Sequence, residues 1–393
     1  MSMGTAFSRL MTLVPAPGAS IDWEGLSEVG LSSMFSDMAG TMQNPAYHGE
    51  GDVLSHTKMV CEALVREEGY AALDAGFDRT AVFLAALFHD IGKIKCTRTD
   101  ENGVLRSPYH ASKGAVATRR LLWHEFDLAG DPKRRRMREV IAALIRYHSF
   151  PPFAAYKEDA ELRTLRIASC GELAPGFTID KLCLLERADI LGRIGHDTEG
   201  SLEKVELCRM VAEEAGCLHG PYRFADPYSQ HAYFTGKTAW RDQELYRDTW
   251  GEVLLLSGLP GTGKDTWLAK NLPDLPMVSL DNIRVRLNIS PTDKQAPVVA
   301  AAQEEAREYL RKKQPFVWNA TSLTVELRSN QISLFEQYGA SVKTVFLETD
   351  WEEQLRRNAS RTAEVPLPVI EKMLRRLEIP ERHECEMVVW ETV

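Results

Sequence analysis

The stretch Val253–Lys264 reads V-L-L-L-S-G-L-P-G-T-G-K, an apolar run that passes directly into a glycine-rich turn. A short apolar run of this kind is consistent with a strand buried in a parallel sheet, and a helical stretch follows the turn. Glycines let backbone N–H groups point inward around a phosphate, and the helix N-terminus adds its partial positive charge. Strand, turn and helix in this order predict a phosphate-binding loop of a nucleotide site.

The end of this motif supplies charged groups. Lys264 can reach the β- and γ-phosphates of a nucleotide. Asp265 stands where a Ser or Thr hydroxyl usually contacts Mg²⁺, and Thr266 follows, so either side chain could hold the metal ion. A glycine-rich turn without a ligand is the alternative interpretation. The predicted nucleotide-binding residues of the loop are Gly258, Gly261, Thr262, Gly263, Lys264, Asp265 and Thr266.

Around the motif, apolar runs alternate with helical stretches as far as the C-terminus. This alternation predicts an α/β domain with a doubly wound parallel sheet, in which ligands bind at the carboxyl ends of the strands. The expected strands are Val253–Ser257, Met277–Leu280, Phe316–Asn319, Val342–Glu348 and Met387–Trp390.

Two further pairs of residues could complete the nucleotide site. Asp281, after the second expected strand, could accept a proton from an attacking hydroxyl while Arg284 holds a neighbouring phosphate. An Asp at this position is also a common helix N-cap. Arg357 and Arg361 are spaced to share one helix face, where they repel each other unless an anion such as a triphosphate lies between them. A solvated basic helix is the alternative for this second pair.

These motifs, G-x-P-G-x-G-K, D-x-x-R and R-N-x-x-R followed by V-P, resemble the polynucleotide 5′-kinase family. The resemblance implies an NTP donor, ATP or GTP, with Mg²⁺, and phosphate contacts from Lys264, Arg357 and Arg361. It also implies that Asp281 is the general base for a polynucleotide 5′-OH. Arg284 would bind the 3′-phosphate side of the acceptor.

The first two hundred residues have a different pattern. Apolar residues recur there at spacings of three and four, and hardly any alternation typical of strands occurs, which predicts an all-α domain. The expected helices are Val53–Glu67, Thr80–Phe88, Ser112–Phe126, Lys133–Arg146, Leu162–Glu172, Leu182–Leu191 and Leu202–Ala215.

His89 and Asp90 follow the apolar run Val82–Phe88. A helix that is apolar on all sides is buried, and a buried charge must be paired or bound to metal. Imidazole and carboxylate ligands together suit Mn, Fe, Co, Ni or Zn, and Asp90 is placed to bridge two ions. Each histidine alone could equally be an ordinary core or surface residue. The candidate metal ligands are His56, His89, Asp90, His110, His148 and Asp189.

The order of these six residues resembles the HD phosphohydrolase superfamily, whose helical domains cleave phosphomonoesters and phosphodiesters with divalent metals. The resemblance implies two divalent transition metals, with His110 and His148 as the additional pair seen in two-metal members. It also implies that Lys93 contacts a substrate phosphate and that His48 could contribute to substrate binding.

Composition limits the partners. The 56 acidic and 47 basic residues give a net charge of −9, so any nucleic-acid contact must use local basic patches. The densest is Lys133–Arg136 with Arg138, which is either a solvated helix start or an RNA-backbone contact. No apolar run approaches the roughly 18 residues of a membrane helix, and seven cysteines without a C-x-x-C pair fit reduced thiols. We expect a cytoplasmic protein without a membrane partner.

An HD domain upstream of a P-loop kinase domain resembles the bifunctional bacterial end-healing enzymes called HD-Pnk. We expect the HD domain to cover residues 1–245, with a linker region at 220–245, and the kinase domain to cover residues 246–393. The resemblance implies action on RNA or DNA strand ends: removal of 2′,3′-cyclic, 2′- or 3′-phosphates, phosphorylation of 5′-OH groups, and a nucleic-acid ligase as a further partner.

Two other functions stay open from the sequence. The first is an HD nucleotidase or phosphodiesterase fused to a kinase for small, nucleoside-type molecules. The second is a metal-dependent sensor that regulates a nucleotide-binding switch, although a full set of ligand residues favours catalysis over sensing.

Overall fold

The two sequence patterns fold as two separate units. The computed structural model describes residues 3–195, 197–361 and 363–393. The first unit comprises residues 1–128 and 132–222, and the second comprises residues 129–131 and 223–393. The predicted domain boundary near residue 245 stays a prediction.

The described part of the first unit is helical, with one short antiparallel hairpin of β1 (Arg98–Thr99) and β2 (Leu105–Arg106). A π-helical turn covers Ser27–Leu31 and a 3-10 helix covers Pro151–Tyr156. Its α-helices are α1 (Met3–Thr12), α2 (Trp23–Leu26), α3 (Ser32–Ala39), α4 (Val53–Arg66), α5 (Glu68–Ala72), α6 (Phe77–Phe88), α7 (Lys93–Cys96), α8 (His110–His124), α9 (Pro132–Tyr147), α10 (Ala160–Ala168), α11 (Cys170–Leu173), α12 (Ile179–Leu191) and α13 (Thr198–Glu214).

Helix α6 lies at the centre of this unit. Every residue from Thr80 to Phe88 is buried, because the sequence TAVFLAALF offers no polar face to solvent. Helices α4, α9 and α12 pack around it. This packing carries His89 and Asp90, which directly follow α6, into the interior.

The predicted helices are confirmed with shifted ends, except that Leu162–Glu172 is two helices, α10 and α11. Ser169 lies between them, and its hydroxyl bonds to the carbonyl oxygen of Arg166. A serine hydroxyl that bonds to a nearby carbonyl competes with continuation of the helix. The hairpin is missing from the sequence prediction because two-residue strands have no detectable alternation.

The second unit contains a five-stranded parallel sheet in the order β4-β5-β3-β6-β7, which confirms the predicted α/β class. All five predicted strands are confirmed to within two residues at their ends. The strands are β3 (Glu252–Ser257), β4 (Met277–Ser279), β5 (Val317–Asn319), β6 (Ser341–Glu348) and β7 (Met387–Thr392). The helices are α14 (Pro227–Phe234), α15 (Lys264–Asn271), α16 (Leu280–Leu287), α17 (Ala296–Arg311), α18 (Val325–Gln337), α19 (Trp351–Ala359) and α20 (Leu367–Leu374).

Helix α14 lies in the segment that shows no clear period in the sequence. Asp226 caps it by accepting hydrogen bonds from the N–H groups of Tyr228 and Ser229, and Pro227 occupies the first helical position. Capping and a pre-set proline therefore start a helix that the apolar pattern alone does not reveal. None of the helices in the described ranges is both long and apolar enough to cross a membrane.

Candidate functional sites

The first unit brings all six predicted metal ligands together. His56 comes from α4, while His89 and Asp90 follow α6. The Nε2 atom of His56 lies 3.3 Å from Nε2 of His89 and 2.9 Å from Oδ1 of Asp189, on α12. These side chains form one group of buried donors.

A second group of donors adjoins the first. Nε2 of His110, on α8, lies 3.3 Å from Nε2 of His148, which follows α9. Asp90 stands between the two groups: its Oδ1 is 3.6 Å from His110 Nε2, and its Oδ2 is 3.3 Å from His89 Nε2. This is the bridging position that the sequence predicts for Asp90.

The tautomers of three histidines follow from their hydrogen bonds. Nδ1 of His89, His110 and His148 each lies between 2.7 and 3.0 Å from a backbone carbonyl oxygen three residues earlier in the chain. A carbonyl can only accept, so Nδ1 carries the proton and Nε2 of the neutral ring presents a lone pair. The Nε2 lone pairs of His110 and His148 lie 3.3 Å apart with no proton between them, an arrangement that a bound cation would stabilise.

The carboxylates agree with this assignment. Oδ1 of Asp90 is buried without a hydrogen bond in the described part of the chain, and Oδ1 of Asp189 is buried against Nε2 of His56. Burial opposes the ionisation of Asp90, but the adjacent Lys93 charge outweighs it and holds the pKa of Asp90 well below its usual range. Buried anionic oxygens and unprotonated imidazole nitrogens around two points fit two divalent transition metals.

The two predicted substrate contacts lie beside this centre. Lys93 Nζ is 2.6 Å from Asp90 Oδ2, donates to Gln43 Oε1 at 2.6 Å and lies 3.5 Å from Nε2 of His48. Burial and the nearby Lys93 charge lower the pKa of His48 to about 4, so its ring is neutral at pH 7. Lys93 and His48 can therefore contact the same ligand, with Gln43 fixing the lysine.

Glu50 is a residue of this site that the sequence prediction misses. One of its oxygens lies 2.8 Å from Nδ1 of both His48 and His56, and the other accepts the Ile194 N–H at 2.9 Å. Burial opposes ionisation, but these hydrogen bonds, that of His56 first, lower the pKa of Glu50 to about 2. Its position between two histidines in H-G-E-G-D-V-L-S-H is the one sequence signal that points to it.

The second unit builds the predicted phosphate-binding loop between β3 and α15. Gly258, Gly261 and Gly263 have φ values of 151°, 83° and 85°, and a Cβ atom on Gly258 would lie 2.6 Å from the carbonyl oxygen of Leu347. Only glycine fits such backbone conformations without strain. The Thr262 hydroxyl bonds to the loop carbonyl of Leu259 at 2.9 Å, so it tightens the loop from within.

Lys264 folds back over this loop. Its Nζ donates to the carbonyl oxygens of Gly258 and Leu259 at 3.0 and 2.9 Å, and burial lowers its pKa to about 8. Asp265, the next residue, accepts a hydrogen bond from Nδ2 of Asn319, at the end of β5, at 2.7 Å. Thr266 is exposed on the same helix. Asp265 is therefore the fixed member of the two candidate Mg²⁺ ligands.

Asp281 and Arg284 form an ion pair on the first turns of α16. Arg361 Nη2 lies 3.7 Å from Oδ2 of Asp281, and Arg284 Nε donates to Gln295 Oε1 at 2.7 Å. The N-cap of this helix is Ser279, whose hydroxyl accepts the N–H of Asn282. The alternative that Asp281 is the helix N-cap is thus wrong, and its carboxylate instead pairs with Arg284 and Arg361.

The prediction that Arg357 and Arg361 share a helix face is wrong. Helix α19 ends at Ala359, so Arg361 lies beyond it. The cause is Asn358, whose side chain bonds to both the N–H and the C=O of Val365 and draws the chain back. Arg357 bonds to Glu353 on the helix, and its guanidinium lies 3.1 Å from the Cβ position of Gly263 in the loop.

Comparisons with known proteins agree with this division. Residues 53–191 match the HD domain family and residues 253–380 match the AAA domain family. The chain therefore joins an HD domain to an AAA-type P-loop domain. A crystal structure of a presumed kinase from Chloroflexus aurantiacus is similar, with 18% identity, 37% of this chain and 86% of that chain covered, and a TM-score of 0.31. No curated protein gives a significant match.

Proposed function

We propose that this chain heals broken nucleic-acid strands by acting on both ends, like the HD-Pnk enzymes that its motifs resemble. The HD unit removes 2′,3′-cyclic, 2′- or 3′-phosphates, and the P-loop unit transfers a phosphoryl group from ATP or GTP to a 5′-OH. The HD and AAA matches support the broader statement, a phosphohydrolase joined to a kinase. The products, a 3′ end without phosphate and a 5′-phosphate, are the ends that a ligase joins.

We choose a polynucleotide as the phosphoryl acceptor because the acceptor position is exposed to solvent. The Asp281 side chain is 70% exposed although it pairs with Arg284 and Arg361. A kinase for a small molecule encloses its acceptor in order to bury most of its surface. An exposed general base flanked by arginines instead suits an acceptor that extends into solvent and carries further phosphates.

In the kinase reaction, Asp281 takes the proton of the 5′-OH as that oxygen attacks the γ-phosphorus and the bond to the β,γ-bridging oxygen breaks. Lys264 and the loop N–H groups bind the nucleotide phosphates, with Arg357 and Arg361 on the opposite side. Mg²⁺ bound with the NTP would neutralise phosphate charge, and Asp265, oriented by Asn319, is the side chain that we assign to it.

In the HD reaction, Lys93 and His48 bind the terminal phosphate of the strand. Divalent metals at the six-residue centre would supply a nucleophile at neutral pH and charge stabilisation. Glu50 fixes the positions of the His56 and His48 rings. The Nδ1 hydrogen bonds of His89, His110 and His148 orient those rings so that Nε2 faces the centre. Arg193 donates to the outer oxygen of Asp189 at 2.9 Å and thereby orients the inner one.

The division of labour is tested on an oligonucleotide that carries a 5′-OH and a 2′,3′-cyclic phosphate, with both termini analysed by mass. Asp281→Ala is expected to lower 5′-phosphorylation by about 10²–10⁴-fold and to spare phosphate release. Asp90→Ala is expected to abolish phosphate release and to spare the kinase. Each variant is the folding control for the other, and loss of both activities in a folded variant would contradict the proposal. Phosphorylation of nucleosides but not of strand ends would favour the small-molecule kinase.

A further inference from the structure

Tyr109 has an unusual combination of properties. It immediately precedes His110 as the N-cap residue of α8, its side chain is 79% exposed, and its backbone is left-handed with φ 60° and ψ 22°. An aromatic residue in this conformation is strained, and Gly or Asn would relieve the strain. Because the ring packs against little of the fold, burial does not compensate for that strain. A strained, exposed residue beside a reaction centre points to a role in function.

Chain geometry places the backbone of Tyr109 close to the metal centre. Adjacent Cα atoms are about 3.8 Å apart, and the side chain of His110 reaches the centre itself. The segment His89–Gly92, which follows α6, directly contacts the start of α8, because a Cβ atom on Gly92 would lie 2.0 Å from His110 O. Tyr109 therefore stands at the edge of the site and is open to solvent.

A basic side chain accompanies the ring. Lys113 is exposed one turn along α8, and its N–H donates to the carbonyl oxygen of Tyr109 at 3.0 Å. This bond places Lys113 directly one turn along the helix from Tyr109. An exposed aromatic ring with a lysine beside it is the combination that binds single-stranded nucleic acid, since the ring stacks on a base and the cation contacts the backbone.

We propose that Tyr109 stacks on the base of the terminal nucleotide whose phosphate enters the HD site, with Lys113 contacting the preceding phosphate. This inference rests on the proposed function and narrows its substrate to strand ends that retain their last base. The ring acts by binding and takes no part in proton transfer. Its removal should therefore raise KM and leave kcat nearly unchanged.

The test compares two oligonucleotides with a 3′-phosphate, one with a normal terminal nucleotide and one with an abasic terminal residue. Tyr109→Gly removes the ring and suits the left-handed backbone, so folding is retained. We expect it to raise KM for the normal end by about 5- to 150-fold, the range of one base–aromatic stack. For the abasic end, KM should already be high and should not rise further. Tyr109→Phe keeps the ring and is expected to keep the low KM.

Tyr246→Gly, which removes a 90% exposed tyrosine of the second unit, controls for loss of a surface ring. Equal KM values for Tyr109→Gly and the unmodified protein on the normal end would overturn the stacking role alone. An equal rise on both ends would also overturn it, because a stack requires the base. An unmodified protein that releases no phosphate from either oligonucleotide would overturn the proposed function and this inference with it.

Discussion

Lys264 is the residue whose protonation couples most directly to nucleotide binding. Burial lowers its pKa to about 8, and in the free site it donates only to neutral carbonyl groups. The phosphates of a nucleotide would favour the charged form and raise this pKa. Binding at pH 8 should therefore take up about half a proton, and affinity should fall as the pH rises above 8, where the free lysine is neutral. Titration calorimetry of ATP binding in two buffers with different ionisation enthalpies measures the uptake.

Lys264→Arg is the matched control for this measurement. An arginine keeps the charge at every accessible pH, so the variant should bind ATP at pH 8 without proton uptake. ATP itself is fully ionised at this pH and contributes little. Equal uptake by both proteins would mean that the lysine is already charged in the free site.

Single residues differ in how far the sequence reveals their roles. His89-Asp90 is detectable because a charged pair follows a run that can only be buried, and Lys264 because glycines precede it at fixed spacing. Glu50 has only its position between two histidines to mark it, and Asn319 has no such context, because it acts on the distant Asp265. Partners of this kind follow from the fold and not from a local pattern.

Among the elements, α8 begins with His110 and α9 ends directly before His148, and a buried charge network joins the two helices. Glu139 on α9 accepts hydrogen bonds from Arg119 on α8 at 2.8 to 3.0 Å and from Arg138 at 2.7 Å. Glu139→Gln leaves two buried guanidinium groups without their counter-charge. We expect a loss of about 3–5 kcal/mol in the free energy of unfolding of the first unit and a melting temperature lower by on the order of 10 °C, measured by calorimetry.

Glu125→Gln is the control for this prediction, because Glu125 is an exposed partner of His124 at the end of α8. An exposed pair contributes at most about 1 kcal/mol, so this variant should melt almost as the unmodified protein does. A Glu139→Gln protein with the same melting temperature would show that water or repacking compensates the arginines. Arg138 belongs to this network and is fully buried, so it is part of neither a solvated helix start nor an RNA-backbone contact.

Element ends are predicted less well than elements themselves. The apolar period finds α6 and α12, whose faces are set by burial, but it gives no sign that α19 stops at Ala359. That end depends on the Asn358 side chain, which bonds to the N–H and C=O groups of Val365, seven residues away. The start of α14 depends in the same way on Asp226. Side-chain to backbone bonds of this kind compete with the period that the sequence prediction uses.

On the scale of the molecule, the change from helical period to alternating strands and helices is enough to predict both fold classes. The change is strong because a parallel sheet buries both faces of its strands. In the first unit, α6 is buried on all sides, whereas the helices that pack around it bury one face. The substrate is predicted less directly, since it depends on how exposed Asp281 and Tyr109 are, and exposure is a property of the folded chain.

Two units with separate cores predict two unfolding transitions in calorimetry of the full chain. A ligand that binds one native unit stabilises that unit by about 2.7 kcal/mol at a concentration of 100 Kd. Mn²⁺ should therefore raise the transition of the HD unit, and a non-hydrolysable ATP analogue with Mg²⁺ should raise that of the P-loop unit. Asp90→Ala is expected to remove the first shift and keep the second, and Lys264→Ala to do the reverse. If either ligand moves both transitions equally, the units unfold as one, and each site would depend on the fold of the other.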